Sequence, residues 1–415
     1  MQSATTPLYG MPSESQAYRI QDIVMKREAE LAQIDGDIIQ VRALLQRLLQ
    51  DRKDIRESLE AHKALIVPPP IPALQRIPPE IWAQIFAVSV KDAWAPGYPQ
   101  INVQQPPLLL GHVCSTWRAI SLSTPHLWSS ICIPRRIRAT AIPLIETWLK
   151  RSGAMPLSIE MNGLSSDFPS NVLDVFIPHS ARWKNVSLFM SNAALAALFA
   201  KITLTSLDTI MLRLSGRPQQ ISLATSAKCL RSVTLVISRG IRPDPQILDL
   251  PWSQLTHLNI ISISGVIDDG YDILNHCSAL THCSLSAVGS VWEATERPPC
   301  CLPSLSVLQL ATNLDPGPLL DSLVLPHLVH LEIDFIALSY RPNVWPKAQI
   351  VSLVTRSSCR LQTLILRNKR IYEADLIECC RSIPTLHHLL VNGPEKCHGG
   401  TLELSRVISA QRTGS

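Results

Sequence analysis

The 415-residue sequence lacks any uninterrupted run of about 18 apolar residues, the length a helix needs to cross a bilayer, so no membrane span is expected. It also lacks the apolar core of a signal peptide: the opening stretch MQSATTPLYGMPSESQ is polar. Charge is sparse, with 17% charged residues and a net charge of +5, and the one basic run, PRRIR at 134–138, is short and free of aromatics. It reads as a solvated loop, and nucleic acid is not an expected partner. No Gly-rich phosphate loop, G-x-S-x-G or H-E-x-x-H occurs, so neither an enzyme nor a cofactor is expected. Eleven cysteines are present but without framework spacing, several where a leucine would serve. That usage fits a reducing compartment, cytoplasm or nucleus.

What is present is apolar and long enough for two or three domains, 46% hydrophobic. Residues 1–16 read as disordered. From 17 to 66 a heptad pattern runs. Its a positions are Ala17, Val24, Leu31, Ile38, Leu45, Arg52, Leu59 and Ile66. Its d positions are Ile20, Arg27, Ile34, Val41, Leu48, Ile55 and His62. A largely aliphatic seam in a polar helix is a coiled-coil pattern. It serves either a homodimer through 17–66 or packing against the rest of its own chain. Six prolines between 68 and 79 stop this helix, because proline fixes φ and lacks the amide donor; 67–76 reads as a stiff hinge.

After the hinge, IPPEIWAQIFAVSV (77–90) has helix-start features: Pro78 and Pro79 suit a first turn, and Glu80 suits the positive helix end. Ile81, Ile85 and Phe86 are expected on one face. The stretch LLLGHVCSTWRAISLSTPHLW (108–128) predicts a second short helix around Val113, Cys114 and Trp117. Cys114 lies beside His112, but adjacency in sequence does not make a nucleophile and base, and packing is the expected role of Cys114. Two such helices bury little alone and need a partner or the following domain.

These pieces resemble an F-box, in the form found in many F-box proteins of mushroom-forming fungi. Ile77, Pro78, Glu80, Ile81, Ile85 and Phe86 match the family's opening pattern. Val113, Cys114, Trp117 and Arg118 match its second helix, and Pro125, Leu127 and Trp128 its trailing Pro-x-Leu-Trp. The segment from Val88 to Leu108, expected as a loop, is longer than the family's usual junction and rich in proline. The resemblance covers about 17–133 and assigns 77–133 as the F-box. It implies docking on a Skp-type adaptor of a cullin ligase complex through Ile77, Pro78, Ile81, Ile85, Phe86, Val113, Cys114 and Trp117.

The remainder is repetitive. An apolar-x-x-apolar-x-apolar register begins at Trp183, Leu207, Leu230, Leu255, Leu280, Leu305, Leu328, Leu361 and Leu386, with looser copies at Trp128 and Pro156. Intervals are 23 to 25 residues except for 33 after Leu328, which implies an insertion near ALSYRPNVWPKAQ (337–349). This is the leucine-rich-repeat signature. The expected fold class is therefore α/β: a long N-terminal helix, a small helical F-box, then an irregular leucine-rich-repeat solenoid over 134–403. Parallel strands would line its concave face, helices such as AIPLIETWLKRSG and AALAALFAKI would alternate with them, and 404–415 would form a tail.

Four copies carry histidine two residues after the opening leucine, as in LTHLNI (255–260) and LTHCSL (280–285). Zinc would need four converging ligands. In the cluster His276, Cys277, His282 and Cys283, the last two must point to opposite sides of a strand. The cluster Cys379, Cys380, His387, His388, Cys397 and His398 faces the same difficulty, and no metal is expected. The outward positions instead form a column: His257, His282, His330 and His388, with Asn259, Gln309 and Glu332 beside them. Those seven residues are either solvated polar positions or a stripe that binds an unknown target protein. The resemblance implies a substrate-recognition subunit of an SCF-type ubiquitin ligase. A scaffold independent of any ligase, self-associating through its coil, is the alternative.

Overall fold

The computed structural model describes residues 14–65, 77–93, 97–134, 137, 139–162, 170–238, 241, 244–262, 268–287, 298–313, 315–336, 345–367, 371, 373–391 and 402–403. The proline hinge at 67–76, the tail at 404–415 and 337–344 of the expected insertion lie outside them, as do Cys397 and His398. The chain divides into two units, 1–77 and 78–415.

The described residues of the first unit form one helix, α1 (Glu14–Leu65, 52 residues), which begins inside the stretch expected to be disordered. It runs through Gly36 without a break. Ten aliphatic seam residues, from Ile20 to Leu59, stand 41% to 68% exposed. Ion pairs along its surface join Arg27 to Glu30 at 2.6 Å and Lys63 to Glu60 at 2.9 Å.

The second unit opens with α2 (Pro79–Ala93), α3 (Leu110–Val113) and α4 (Ser115–Leu122). Two expectations are corrected here. Val88 to Ala93 continue α2 rather than starting a loop, because Val90 is buried and holds the last turn down. The single helix expected around Cys114 is two, split where Cys114 is extended and its sulfur accepts the Trp117 amide at 3.4 Å. Residues 99 and 100, between α2 and α3, are tied down: the Cys132 amide donates to the Pro99 carbonyl at 2.6 Å, and Gln100 pairs beside Cys132.

A twelve-stranded sheet follows: β1 (Ser130–Ile133), β2 (Leu157–Asn162), β3 (Trp183–Phe189), β4 (Thr209–Leu214), β5 (Ser232–Ile237) and β6 (His257–Ser262). It continues with β7 (His282–Ala287), β8 (Val307–Thr312), β9 (His330–Phe335), β10 (Thr363–Arg367), β11 (His388–Val391) and β12 (Leu402–Glu403). Strands lie side by side in chain order, the first eleven parallel and β12 antiparallel to β11. The chain is thus α/β, with a long N-terminal helix and a large parallel sheet. β1 begins two residues after Trp128, the looser register copy, within the stretch 77–133.

Parallel neighbours require a crossover of a dozen or more residues, and the 25-residue interval supplies a six-residue strand plus that return. Some returns are helical, as in Ile142–Arg151, Asn192–Phe199 and Lys347–Ser357. Among the described residues, those before β5, β6 and β8 contain no α-helix, only the 3-10 turn Trp252–Gln254 before β6. Pro218, Pro243, Pro245, Pro251, Pro298, Pro299 and Pro303 fall in these three stretches and deny a helix its amides. Each stretch carries a two-residue strand instead: Ile221–Ser222 pairs with Leu248–Asp249, and Cys300–Cys301 pairs with Leu323–Val324 of the following return.

In the strands from β4 to β10 alternate residues are buried; Leu258 and Ile260 of β6 and Cys283 and Leu285 of β7 point into the core. The helices join the sheet through Trp128, which is buried and meets Trp148 edge to face at 5.0 Å. Its indole N–H donates to the Ser121 carbonyl at 2.8 Å, and the Arg151 guanidinium lies 4.5 Å from its ring centre.

Candidate interaction surfaces

Two surfaces carry the residues singled out in the sequence. The first is on the helical part. Trp82, Phe86 and Val90 form the buried face of α2, at i, i+4 and i+8. Phe86 is 1% exposed and packs against Trp117 of α4 at 4.9 Å between ring centres, with Trp82 at 5.8 Å from Phe86 and 5.0 Å from Trp117. Phe86 therefore belongs to an internal aromatic cluster, which corrects its expected place beside Ile81 and Ile85 on a docking face. Trp117 is half-buried in the same cluster. Trp82, the third ring, was missed; its spacing of four from Phe86 was the available signal.

The opposite face of α2 exposes Ile81 (44%), Ile85 (44%) and Val88 (58%), a stripe at i, i+4 and i+7. Val113 is also exposed, at 54%. Pro78 is exposed, while Ile77, half-buried, is the last residue of the first unit. Cys114 is exposed and caps α4, so it is not a core residue.

The second surface is the sheet face opposite the core. Cross-strand pairing sets His257 opposite His282, then Val307, His330, Thr363 and His388, in one row. A parallel row holds Asn259, Ser284, Gln309, Glu332, Ile365 and Leu390. All seven residues expected on this face are in these two rows. His282 and Cys283 point to opposite sides, as strand geometry demands.

The rows differ in how much they interact. The rings of His257 and His282 are stacked, 4.4 Å between centres and 8° from parallel. Each Nδ1 lies beside the hydroxyl of the preceding threonine, Thr256 at 2.9 Å and Thr281 at 3.0 Å. The Thr281 hydroxyl donates its one proton to the Thr256 carbonyl at 2.9 Å. With that bond made it accepts from His282, a geometry that suits the Nδ1–H tautomer, in which Nε2 is an acceptor. Thr256 repeats the arrangement, donating to the Arg231 carbonyl at 3.3 Å. Burial depresses the pKa of His257, and the adjacent His282 depresses it further, against a smaller opposing pull from Asp208.

Further along, Glu332 is the hub of a charged cluster. It accepts from Arg367 Nε at 2.5 Å and from Gln309 Nε2 at 2.9 Å, and His330 Nε2 stands 3.8 Å away. Burial would raise the Glu332 pKa; the bonds from Arg367 and Gln309 and the charges of Arg367 and His330 outweigh it and hold the carboxyl below its ordinary value. Arg367 was missed. It lies six residues after Leu361, at the same outward repeat position as Asp334 after Leu328, opposite which it pairs. His388 is on the row but separated from His330 by Thr363.

No protein-family model matches the chain, and no curated protein is similar to it.

Proposed function

We propose that the chain is a substrate receptor of an SCF-type ubiquitin ligase. In this reading the helical part is an F-box that docks on a Skp-type adaptor, and the repeats form a leucine-rich-repeat solenoid. The exposed sheet face of that solenoid holds a target protein, and other subunits perform ubiquitin transfer. The observation that carries the adaptor half is the uncovered stripe Ile81, Ile85 and Val88 on a helix whose other face is already filled by Trp82, Phe86 and Val90. Covering such side chains contributes roughly 1.5–3 kcal/mol each, gross. The target half rests on a face lined with polar side chains, in which His257 and His282 offer hydrogen-bond acceptors to a partner's N–H or O–H groups.

Co-purification of the full chain with a Skp-type adaptor tests the proposal. The expected result is a stable complex that Ile81→Asp with Ile85→Asp abolishes, while the thermal transition of the sheet is unchanged. A wild-type chain that does not bind the adaptor overturns the ligase assignment. Phe86→Ala is the wrong probe, because it empties the aromatic cluster and unfolds the helices. The exposed seam of α1 favours a second reading, a scaffold that self-associates and binds targets without a ligase; adaptor binding separates the two.

A further inference from the structure

The aliphatic seam of α1 is uncovered along six heptads, and the charges beside it say what covers it. We infer that α1 pairs with α1 of a second copy of this chain, as a parallel, in-register, two-stranded coiled coil.

In a parallel coil each g residue lies beside the e residue of the partner's next heptad. With the seam residues above as a and d, Asp37 and Asp51 are g, and Arg42 and Arg56 are the e residues they meet. Both contacts, made twice in a dimer, join opposite charges. Leu44 at g meets Leu49 at e, which widens the apolar seam there; both are exposed, at 56% and 52%. Glu30 opposite Asp35 is the one contact of like sign. Within the described part of α1 the ion pairs are Arg27–Glu30, Lys53–Glu57 and Lys63–Glu60. Asp37, Asp51, Arg42 and Arg56 take part in no ion pair among the described residues, so their charges are free for a partner.

The antiparallel alternative is poorer on the same residues. Centred between Ile38 and Val41, it stacks aliphatic layers well, but it sets Glu30 against Asp51 along the g edge, and its one contact of opposite charge, Asp35 with Arg42 along the e edge, is half of what the parallel register gains. Strand number follows from the seam. Leucine at a (Leu31, Leu45, Leu59) with isoleucine at d (Ile20, Ile34, Ile55) by itself leans toward more than two strands. Arg27 at d and Arg52 at a decide against that. In a two-stranded coil these long side chains reach water along the seam's edge, whereas a four-stranded core buries them. Arg27 already holds Glu30 at 2.6 Å in that outward posture.

In a parallel pair both chains leave the coil at the same end, so two copies of the C-terminal unit are tethered together, with the gain in avidity that tethering brings to a partner that each copy binds. This inference does not depend on the ligase reading: a dimer forms whether or not an adaptor binds.

The test is sedimentation of the full chain and its variants. The expected mass for wild type is twice 45.9 kDa. Leu45→Asp with Leu48→Asp gives the single-chain mass. Asp37→Arg with Asp51→Arg raises the dissociation constant roughly tenfold or more. Mixing that variant with Arg42→Asp, Arg56→Asp restores dimer formation between the two. A monomeric or tetrameric wild type overturns the inference, as does a Leu45→Asp, Leu48→Asp chain that still dimerises. If Asp37→Arg, Asp51→Arg self-associates as well as wild type or better, the parallel register is wrong.

Discussion

The imidazole of His282 lies flat against that of His257, 4.4 Å away and 8° from parallel, each steadied by the hydroxyl of the threonine before it. Two such rings cannot both take a proton without repulsion. His257, whose pKa is depressed by burial and then by His282, is the one held neutral.

A histidine proton titration by NMR should therefore place His257 below the ordinary value of about 6.5. His282→Gln should raise that midpoint only part of the way, since burial is the larger cause. The sign for stability follows. The folded state binds this proton less readily than the unfolded state, so the contribution is complete above about pH 6.5 and is lost as pH falls through the lower folded value. His257→Gln should flatten stability across that window. A midpoint at or above the ordinary value would contradict the stack.

Glu332 predicts a change in a more acidic range. Its folded pKa lies below the ordinary carboxylate value, so its contribution is present above about pH 4.3 and is lost as pH falls through the folded value. Glu332→Gln should cost about 1 kcal/mol or less at pH 7, because Arg367 is 42% exposed and water screens the pair. Denaturant unfolding at neutral pH and near pH 3 should show the difference between wild type and variant shrinking with acidity.

Trp128 and Trp183 are both buried, yet they should respond differently to Trp→Phe. Trp128 donates to the Ser121 carbonyl and carries Arg151 over its ring. The indole nitrogen of Trp183 has no hydrogen-bond partner. Trp128→Phe should cost about 1–2 kcal/mol more than Trp183→Phe in equilibrium unfolding. Equal costs would mean that the Trp128 contacts contribute nothing net.

Thiol accessibility predicts an ordered labelling pattern. Cys114, Cys229 and Cys301 are exposed. Burial pushes the thiols of Cys132, Cys277 and Cys379 up to about 12, and that of Cys300 to about 11. The thiolate is the reactive form, so iodoacetamide near neutral pH should modify Cys114, Cys229 and Cys301 first and reach Cys132, Cys277, Cys300 and Cys379 only in denaturant. Peptide mass spectrometry reads the order directly.

Much of the sheet was legible. Each of the last eight register copies, from Leu207 to Leu386, begins two residues before a strand: Leu207 before Thr209, Leu255 before His257, Leu386 before His388. Alternation with period two is a local property, and a near-constant interval forces equivalent positions into the same row. That is why His257, His282, His330 and His388 could be aligned from sequence alone. The proline-broken returns were equally local, although a helix was expected in every return.

The face of α2 was not legible. Apolar residues occupy both sides of that helix, Ile81 and Ile85 on one and Trp82, Phe86 and Val90 on the other, and spacing cannot say which side finds a core. Trp117, 31 residues after Phe86, decided it by filling the space between Trp82 and Phe86.

Where the strands start, which of their residues turn inward and the aliphatic seam of α1 are all periodicities, read within a few residues of sequence. Which residues touch is set at the level of the folded chain. The stack of His257 on His282 needs two strands in exact register across 25 residues, and the bond from Arg367 to Glu332 needs β10 to return beside β9 across 35. Such contacts are set by how the chain closes on itself, and no local pattern records that.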